Sequence, residues 1–290
     1  MNNYENLLDY VGYHDKWHGT RQSQRTPYVY NQNEHLTKEI LDRMNIEEGV
    51  CVEFGAWDGL YNSNTKNLID KGWQAILIEP DEQKYTELVR NFSYNSRIRC
   101  VKSFVNDTNS LLDDILRREN VEEIDFCSID IDGLDLDVFE AVQEFLPKLV
   151  CIEGGQVIHP RANRISTDIS KNNIQQSLKV MAQSFEYKGY KLLCSYQDAF
   201  FIKKEYYHLF NVDENLMNQY INGLLALPRI PYIKKLLDEN NLHNSVLEYA
   251  LKDVPDSITD YVARATKKYK MRWVDDFYAK IQWRLEELRE

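Results

Sequence analysis

Five times between Val50 and Ile152 a short apolar run stops at an acidic or glycine-bearing turn, and each time a segment with helical apolar spacing follows. The runs are 50–54, 75–78, 98–104, 126–131 and 149–152. The helical faces between and after them are Leu68 and Ile69; Tyr85, Leu88, Val89 and Phe92; Leu111, Leu112, Ile115 and Leu116; Val138, Phe139, Val142 and Phe145; and Ile174, Leu178, Met181 and Phe185. An earlier helix, capped by Asn33, carries Leu36, Ile40, Leu41 and Met44. Runs this short and continuous belong to strands buried on both faces, and strands alternating with helices demand right-handed crossovers. The expected fold class is therefore α/β: a doubly wound, mostly parallel, seven-stranded Rossmann-like sheet.

Glycines past two of the helices, Gly72 and Gly189, read as C-terminal stops. The last two strands, 191–196 and 199–203, are close enough to pair as a hairpin, which predicts an antiparallel edge strand. From Glu205 the pattern changes, and Val274, Phe277, Ile281, Leu285 and Leu288 make a helical stripe. Three regions are expected: an N-terminal segment 1–33, a candidate substrate lid; a ligand-binding domain 34–205; and a helical C-terminal appendage 206–290, a stabilising cap or a face for homo-oligomers.

The chain carries 35 basic and 46 acidic residues, a net charge of −11, which repels phosphate backbones and anionic lipid. Nucleic acid and membrane surfaces are thus excluded as expected partners. The first residues lack a basic region leading into an apolar run, and no stretch has the ~18 apolar residues of a membrane span. Cys51, Cys100, Cys127, Cys151 and Cys194 each lie in or beside a different apolar run, without metal-knuckle spacing. Reduced thiols of a cytoplasmic protein account for all five.

Ligands of open α/β sheets bind beyond the carboxyl ends of the strands. The first strand ends in Glu53-x-Gly55-x-x-x-Gly59, and the second ends at Glu79, 20 positions on. A dinucleotide loop needs a second glycine where Trp57 stands, and Asp58 adds negative charge where a pyrophosphate would dock. S-adenosylmethionine has no phosphate and carries a sulfonium and an ammonium. Glu53, Asp58 and Asp130 suit that cationic ligand, and Glu79 can accept both ribose hydroxyls.

Val52-Glu53-Phe54-Gly55-Ala56-Trp57-Asp58-Gly59, then Ser63-Asn64-Thr65, then Ile78-Glu79-Pro80-Asp81, resembles the nucleotide half of a class I methyltransferase. Ser128-Ile129-Asp130-Ile131-Asp132-Gly133-Leu134-Asp135, with Ile152-Glu153, Lys188-Gly189-Tyr190 and Ala199-Phe200-Phe201-Ile202, is similar to the FkbM-type branch. The likeness spans roughly residues 34–205. It implies S-adenosylmethionine-dependent methyl transfer, commonly to an oxygen of a sugar, and hence glycan or natural-product modification. The cofactor-binding residues it implies are Glu53, Gly55, Trp57, Asp58, Gly59, Glu79, Pro80 and Asp130. Asn64 and Thr65 join them at the carboxylate end, and Val105 and Asn106 flank the adenine. Gly154-Gly155 departs from the asparagine-containing turn of that branch, so no acceptor contact is carried over there.

A hydroxyl acceptor must lose a proton, to a general base or through a metal that lowers its pKa. Asp130, Asp132 and Asp135 follow the fourth strand and Glu153 ends the fifth, an oxygen-only set suited to Mg²⁺, with Asp130, Asp132 and Glu153 as ligands. The alternative has Asp130 facing the methionine ammonium, Asp132 shaping the turn and Asp135 capping the next helix. His159 in the loop after the fifth strand is the candidate base, with Asp132 as the second catalytic candidate.

His14 and His18 have metalloprotease spacing, but Asp15 replaces the glutamate and no helical face accompanies them, so packing or a substrate lid explains them better. The basic stretch from Arg264 to Arg272 reads as a solvated helix face. Three other readings stay open: an N-methyltransferase, an NAD-dependent oxidoreductase, and a non-catalytic binding protein of the same fold.

Overall fold

The computed structural model describes residues 33–108, 111–131, 133–154, 160, 175–195 and 198–226. Helix α1 (Asn33–Arg43) leads into β1 (Val50–Phe54), α2 (Lys66–Asp70), β2 (Gln74–Ile78), α3 (Glu82–Phe92) and β3 (Ile98–Val101). Then come α4 (Leu112–Arg118), β4 (Phe126–Ile129), α5 (Asp135–Ala141), β5 (Leu149–Ile152), α6 (Leu178–Tyr187), β6 (Tyr190–Ser195) and β7 (Ala199–Lys203). A 3₁₀ helix, Lys204–Leu209, and α7 (Leu216–Ala226) end the described chain.

The strands form one seven-stranded sheet in the order β3-β2-β1-β4-β5-β7-β6. Pairings among β1 to β5 are parallel, and β7 is antiparallel to both β5 and β6. The antiparallel strand is therefore not at the edge, as the hairpin reading expected. It inserts between β5 and β6 and pairs with both, and its Ala199, Phe200, Phe201 and Ile202 are all fully buried. The chain leaves β1 in one direction and returns through β4 on the other, so the order of strands reverses between β1 and β4, where such sheets bind ligands.

Helices cover both faces. Val52, Phe54, Ile76 and Ile129 pack under α4, α5 and α6, while Cys51, Ala75, Leu77 and Phe126 pack under α1, α2 and α3. On the first face Phe185 stacks between Phe139 (3.7 Å) and Phe201 (3.8 Å), with Tyr190 edge-on to Phe139 and Phe185. The Tyr190 hydroxyl donates to the Pro147 carbonyl at 2.5 Å, which satisfies its one polar atom inside this apolar layer.

Helix α5 is shorter than its apolar spacing predicts: it stops at Ala141, and Val142 is extended. The Asp113 carboxylate accepts the N–H groups of Gln143, Glu144 and Phe145 at 2.7–3.1 Å. Three donors taken by one side chain replace the bonds another helical turn would have made, and Phe145 still reaches the core. Four of the cysteines are buried and Cys100 is half-buried, all as free thiols. No helix of the described residues is long and apolar enough to cross a membrane. The stripe from Val274 to Leu288, the basic stretch 264–272 and the histidines at 14 and 18 lie outside the described residues.

Candidate functional site

The turn after β1 is built by one glycine and one strained tryptophan. Gly55 has φ +79°, and a Cβ there would lie 1.8 Å from the Asp130 carbonyl oxygen, so no larger residue fits between β1 and β4. Ala56 donates to the Ile78 carbonyl at 3.2 Å, bridging to β2. Trp57 follows in the left-handed region at φ +51°, a conformation that costs a non-glycine residue about 1–2 kcal/mol. Its N–H donates to Glu79 Oε2 at 2.9 Å, a hydrogen bond to a carboxylate that offsets the strain.

Glu79 at the end of β2 is buried, and its other oxygen accepts the Asp81 N–H at 2.9 Å. Each oxygen retains a lone pair for a ligand hydroxyl. Asp58 turns away from this point. Its Oδ1 accepts the N–H groups of Leu60 (2.9 Å) and Tyr61 (2.7 Å), which closes the turn. Gly59, at φ +72°, leaves room for the Phe92 ring, which a Cβ would meet at 2.3 Å. Its role is to let α3 approach the loop.

Glu53 lies beneath the cleft. Its carboxylate accepts from Ser63 Oγ (2.7 Å), the Asn64 N–H (2.7 Å) and Thr65 Oγ1 (2.6 Å), and Asn64 Nδ2 donates to Ser128 Oγ at 2.8 Å. Burial pushes the Glu53 carboxyl up from its usual range, against the pull of these donors. Glu53, Asn64 and Thr65 thus form a buried knot that fixes the loop to β1 and β4, and none of them lines the cleft wall.

The cleft above has a volume of about 490 Å³, within the range of small-molecule sites. Of the residues singled out from sequence, Gly55, Trp57, Glu79, Pro80, Val105, Asp130 and Glu153 line it. Asp58, Gly59 and Asn106 do not; the Asn106 side-chain oxygen accepts the Thr108 N–H instead. Tyr61, Lys84 and Phe104 also line it and were not anticipated. The Lys84 ammonium sits 4.0 Å from the centroid of the Trp57 ring, and Tyr61 packs against that ring at 5.4 Å.

At the β4 and β5 end the cleft is acidic. Carboxylate oxygens of Asp130, Asp135 and Glu153 lie within 4.8 Å of one another. Asp135 does not serve as the cap of α5; that position is Leu134. Instead its two oxygens accept the Ile131 and Gly133 N–H groups, both at 2.8 Å, and hold the loop after β4 in place. Burial, reinforced by the charge of Asp130, pushes the Asp135 carboxyl up to about 7. Asp130 and Glu153 belong to the expected metal set; its third member, Asp132, lies outside the described residues, as does His159. Three clustered carboxylates are the donor chemistry of Mg²⁺ or Ca²⁺.

Sequence reasoning missed Asp198. Ile152 pairs with Ala199, so Asp198 sits across from Glu153 at the same end of the sheet. It is buried and accepts from Asn33 Nδ2 at 2.5 Å. Burial, then the charge of Asp130, pushes its carboxyl up to about 7. The next residue of α1, Glu34, accepts the Asn67 N–H at 2.9 Å. These two bonds fix the start of α1 beside the carboxyl ends of the strands.

No protein-family profile matches the chain, and no curated protein sequence matches it. Among solved structures it is similar to a TehB-like S-adenosylmethionine-dependent methyltransferase from Corynebacterium glutamicum: 11% identity over 69% of this chain and 100% of that one, TM-score 0.40. It is also similar to an S-adenosylmethionine-dependent methyltransferase from Aquifex aeolicus, with 14% identity over 59% of this chain and 87% of that one, TM-score 0.38. A third, a proposed caffeoyl-CoA O-methyltransferase from Staphylococcus aureus, shares 17% identity over 68% of this chain and 91% of that one, TM-score 0.40.

Proposed function

We propose that this chain binds S-adenosylmethionine in the cleft at the β1/β4 switch and transfers its methyl group to a hydroxyl, most simply one of a sugar or glycan-type acceptor in the manner of the FkbM branch. The observation that carries this reading is the Glu79 carboxylate. It is pinned at the cleft wall by two backbone donors, beside a glycine turn whose next exposed side chain is an indole. A ribose diol satisfies the remaining lone pairs of Glu79, whereas a pyrophosphate would meet Trp57 and the acidic end of the cleft.

In this reading Gly55, Trp57, Pro80 and Val105 enclose the nucleoside, and Asp130 faces the cationic methionine portion. The knot of Glu53, Asn64 and Thr65 holds the loop that carries them. The acceptor oxygen attacks the methyl carbon in line with the sulfur, the carbon–sulfur bond breaks, and the sulfonium leaves as a neutral thioether. Holding the two reactants in line at about 3–3.5 Å is the main task of such a site. The acceptor proton passes to a base, for which His159 and Asp132 are the candidates. In the alternative arrangement Asp130 would instead join Asp135 and Glu153 in holding a divalent cation, which when bound lowers the pKa of the acceptor hydroxyl.

The bonds of Asn33 and Glu34 support the assignment of residues 1–33 as the segment that meets the acceptor. The appendage 206–290 is assigned to stabilisation or pairing of copies, and the free thiols fit a cytoplasmic setting. The test is direct: incubate the full chain with S-adenosylmethionine and a panel of sugars, nucleotide sugars and amines, and follow S-adenosylhomocysteine by mass spectrometry. Release with a hydroxyl acceptor is expected; release only with amines overturns the acceptor class.

A further inference from the structure

Among the described residues the cleft contains one cation of the protein's own, and it rests on an aromatic ring. Among the described residues lining the cleft, Lys84 is the sole basic side chain, against Glu79, Asp130 and Glu153. It is half-buried on α3, and no carboxylate oxygen of the described residues lies within 4.0 Å of its ammonium. The Trp57 ring centroid lies 4.0 Å from this ammonium, well inside the range of a cation–π contact. Indole is the strongest of the side-chain rings for this purpose.

The ring is placed with care. Trp57 is held in a strained conformation by the bond from its N–H to Glu79, is 43% exposed, and is buttressed by Tyr61. Of the six large hydrophobic side chains that stand exposed among the described residues, three (Trp57, Tyr61 and Phe104) line this one cleft. An aromatic rim on an acidic cleft favours a cationic ligand twice, through the carboxylates and through the ring face.

We propose that the Trp57 ring face is a cation seat for which Lys84 and the sulfonium of the methyl donor compete, so that Trp57 and Lys84 set the preference for the charged donor over its neutral thioether product. This rests on the function proposed above. Lys84 has a long flexible stem, and leaving the ring exposes its ammonium to water at little cost. The donor and the product differ in one methyl group and one positive charge. In the Trp57 variants, which change no charge, an effect on the donor alone therefore reports the ring as a charge seat, whereas a merely structural role moves both ligands together.

The experiment titrates the full chain and its Lys84→Met, Trp57→Phe and Trp57→Leu variants with S-adenosylmethionine and S-adenosylhomocysteine by calorimetry. Tetramethylammonium chloride, with sodium chloride at equal ionic strength as the control, is titrated in parallel against tryptophan fluorescence. Lys84→Met is expected to bind the donor several-fold more tightly and the product within about 2-fold of the parent. Trp57→Leu is expected to lose about 2- to 30-fold for the donor, the span from exposed to desolvated cation–π contacts, and less for the product, with Trp57→Phe in between. Tetramethylammonium is expected to change the fluorescence of the parent chain and not of Trp57→Leu. Equal shifts for donor and product, or weaker donor binding in Lys84→Met, overturn the proposal. If neither adenosyl compound binds, the proposed function fails, and the tetramethylammonium titration alone decides whether the seat exists.

Discussion

The backbone N–H of Trp57 donates to Glu79 Oε2 at 2.9 Å, and with the bond from Ala56 to Ile78 it joins the loop after β1 to the end of β2. It fixes the indole and the carboxylate as one unit, although 22 residues separate them. The wall of the cleft is therefore a property of the pair. Glu79→Gln keeps the shape but removes the charge and puts an amide where one oxygen accepts a backbone donor. Hydrogen bonds to charged groups contribute about 1.5–3 kcal/mol, so affinity for S-adenosylmethionine should fall by roughly 10- to 150-fold. Calorimetry on the variant checks this, with the thermal midpoint as the control for folding.

Gly55→Ala should be among the most damaging single changes in the domain. Its Cβ would lie 1.8 Å from a backbone oxygen of β4, and the site has φ +79°. Neither the clash nor the conformation can relax without moving β4. A loss of about 2–4 kcal/mol in unfolding free energy is expected, read by urea denaturation.

Thr65→Val removes a hydroxyl that donates to Glu53 Oε2 at 2.6 Å and leaves the rest of the side chain in shape. A buried carboxylate that loses one of three donors should cost about 1–3 kcal/mol of stability. The same change should loosen the loop that bears Trp57, raising hydrogen exchange at residues 56–65 more than in the strands.

Asp198 and Asp135 make stability fall as pH rises through neutrality. Both carboxyls are pushed up to about 7 in the folded chain, chiefly by burial. In the unfolded chain they titrate near 3.9. Between those values the folded state holds protons that the unfolded state has released, so the unfolding free energy declines with pH. The contribution is complete below ~3.9 and gone once the pH has passed through the folded values. Urea unfolding at several pH values from acid to neutral should show this decline. Asp198→Asn, which can still accept from Asn33, should flatten it in part and leave the share of Asp135.

Much of the architecture is legible in the chain because strands buried on both faces must be continuously apolar, as Ala75 to Ile78 and Leu149 to Ile152 are. Turn residues are equally plain: Gly72 and Gly189 do sit at positive φ past α2 and α6. What stayed hidden depends on long-range contact. The end of α5 is decided by Asp113, some 30 residues earlier, and no local pattern announces that. Asn33 and Asp198 are 165 residues apart, and each alone reads as an ordinary polar turn residue. Lys84 looks like one more solvated helix lysine until α3 swings it over Trp57. Glu53 and Asp58 stand in the right motif, yet backbone and hydroxyl donors nearby claim their oxygens, which spacing alone does not reveal.

The central claim is that the cleft between the ends of β1, β2 and β4 receives an adenosyl sulfonium and not a dinucleotide. Isothermal titration of the full chain with S-adenosylmethionine and, separately, with NAD tests it most directly. Saturable one-to-one binding of the first, with no heat from the second, is the predicted result; silence with the sulfonium compound, or a tight isotherm with the dinucleotide, contradicts it.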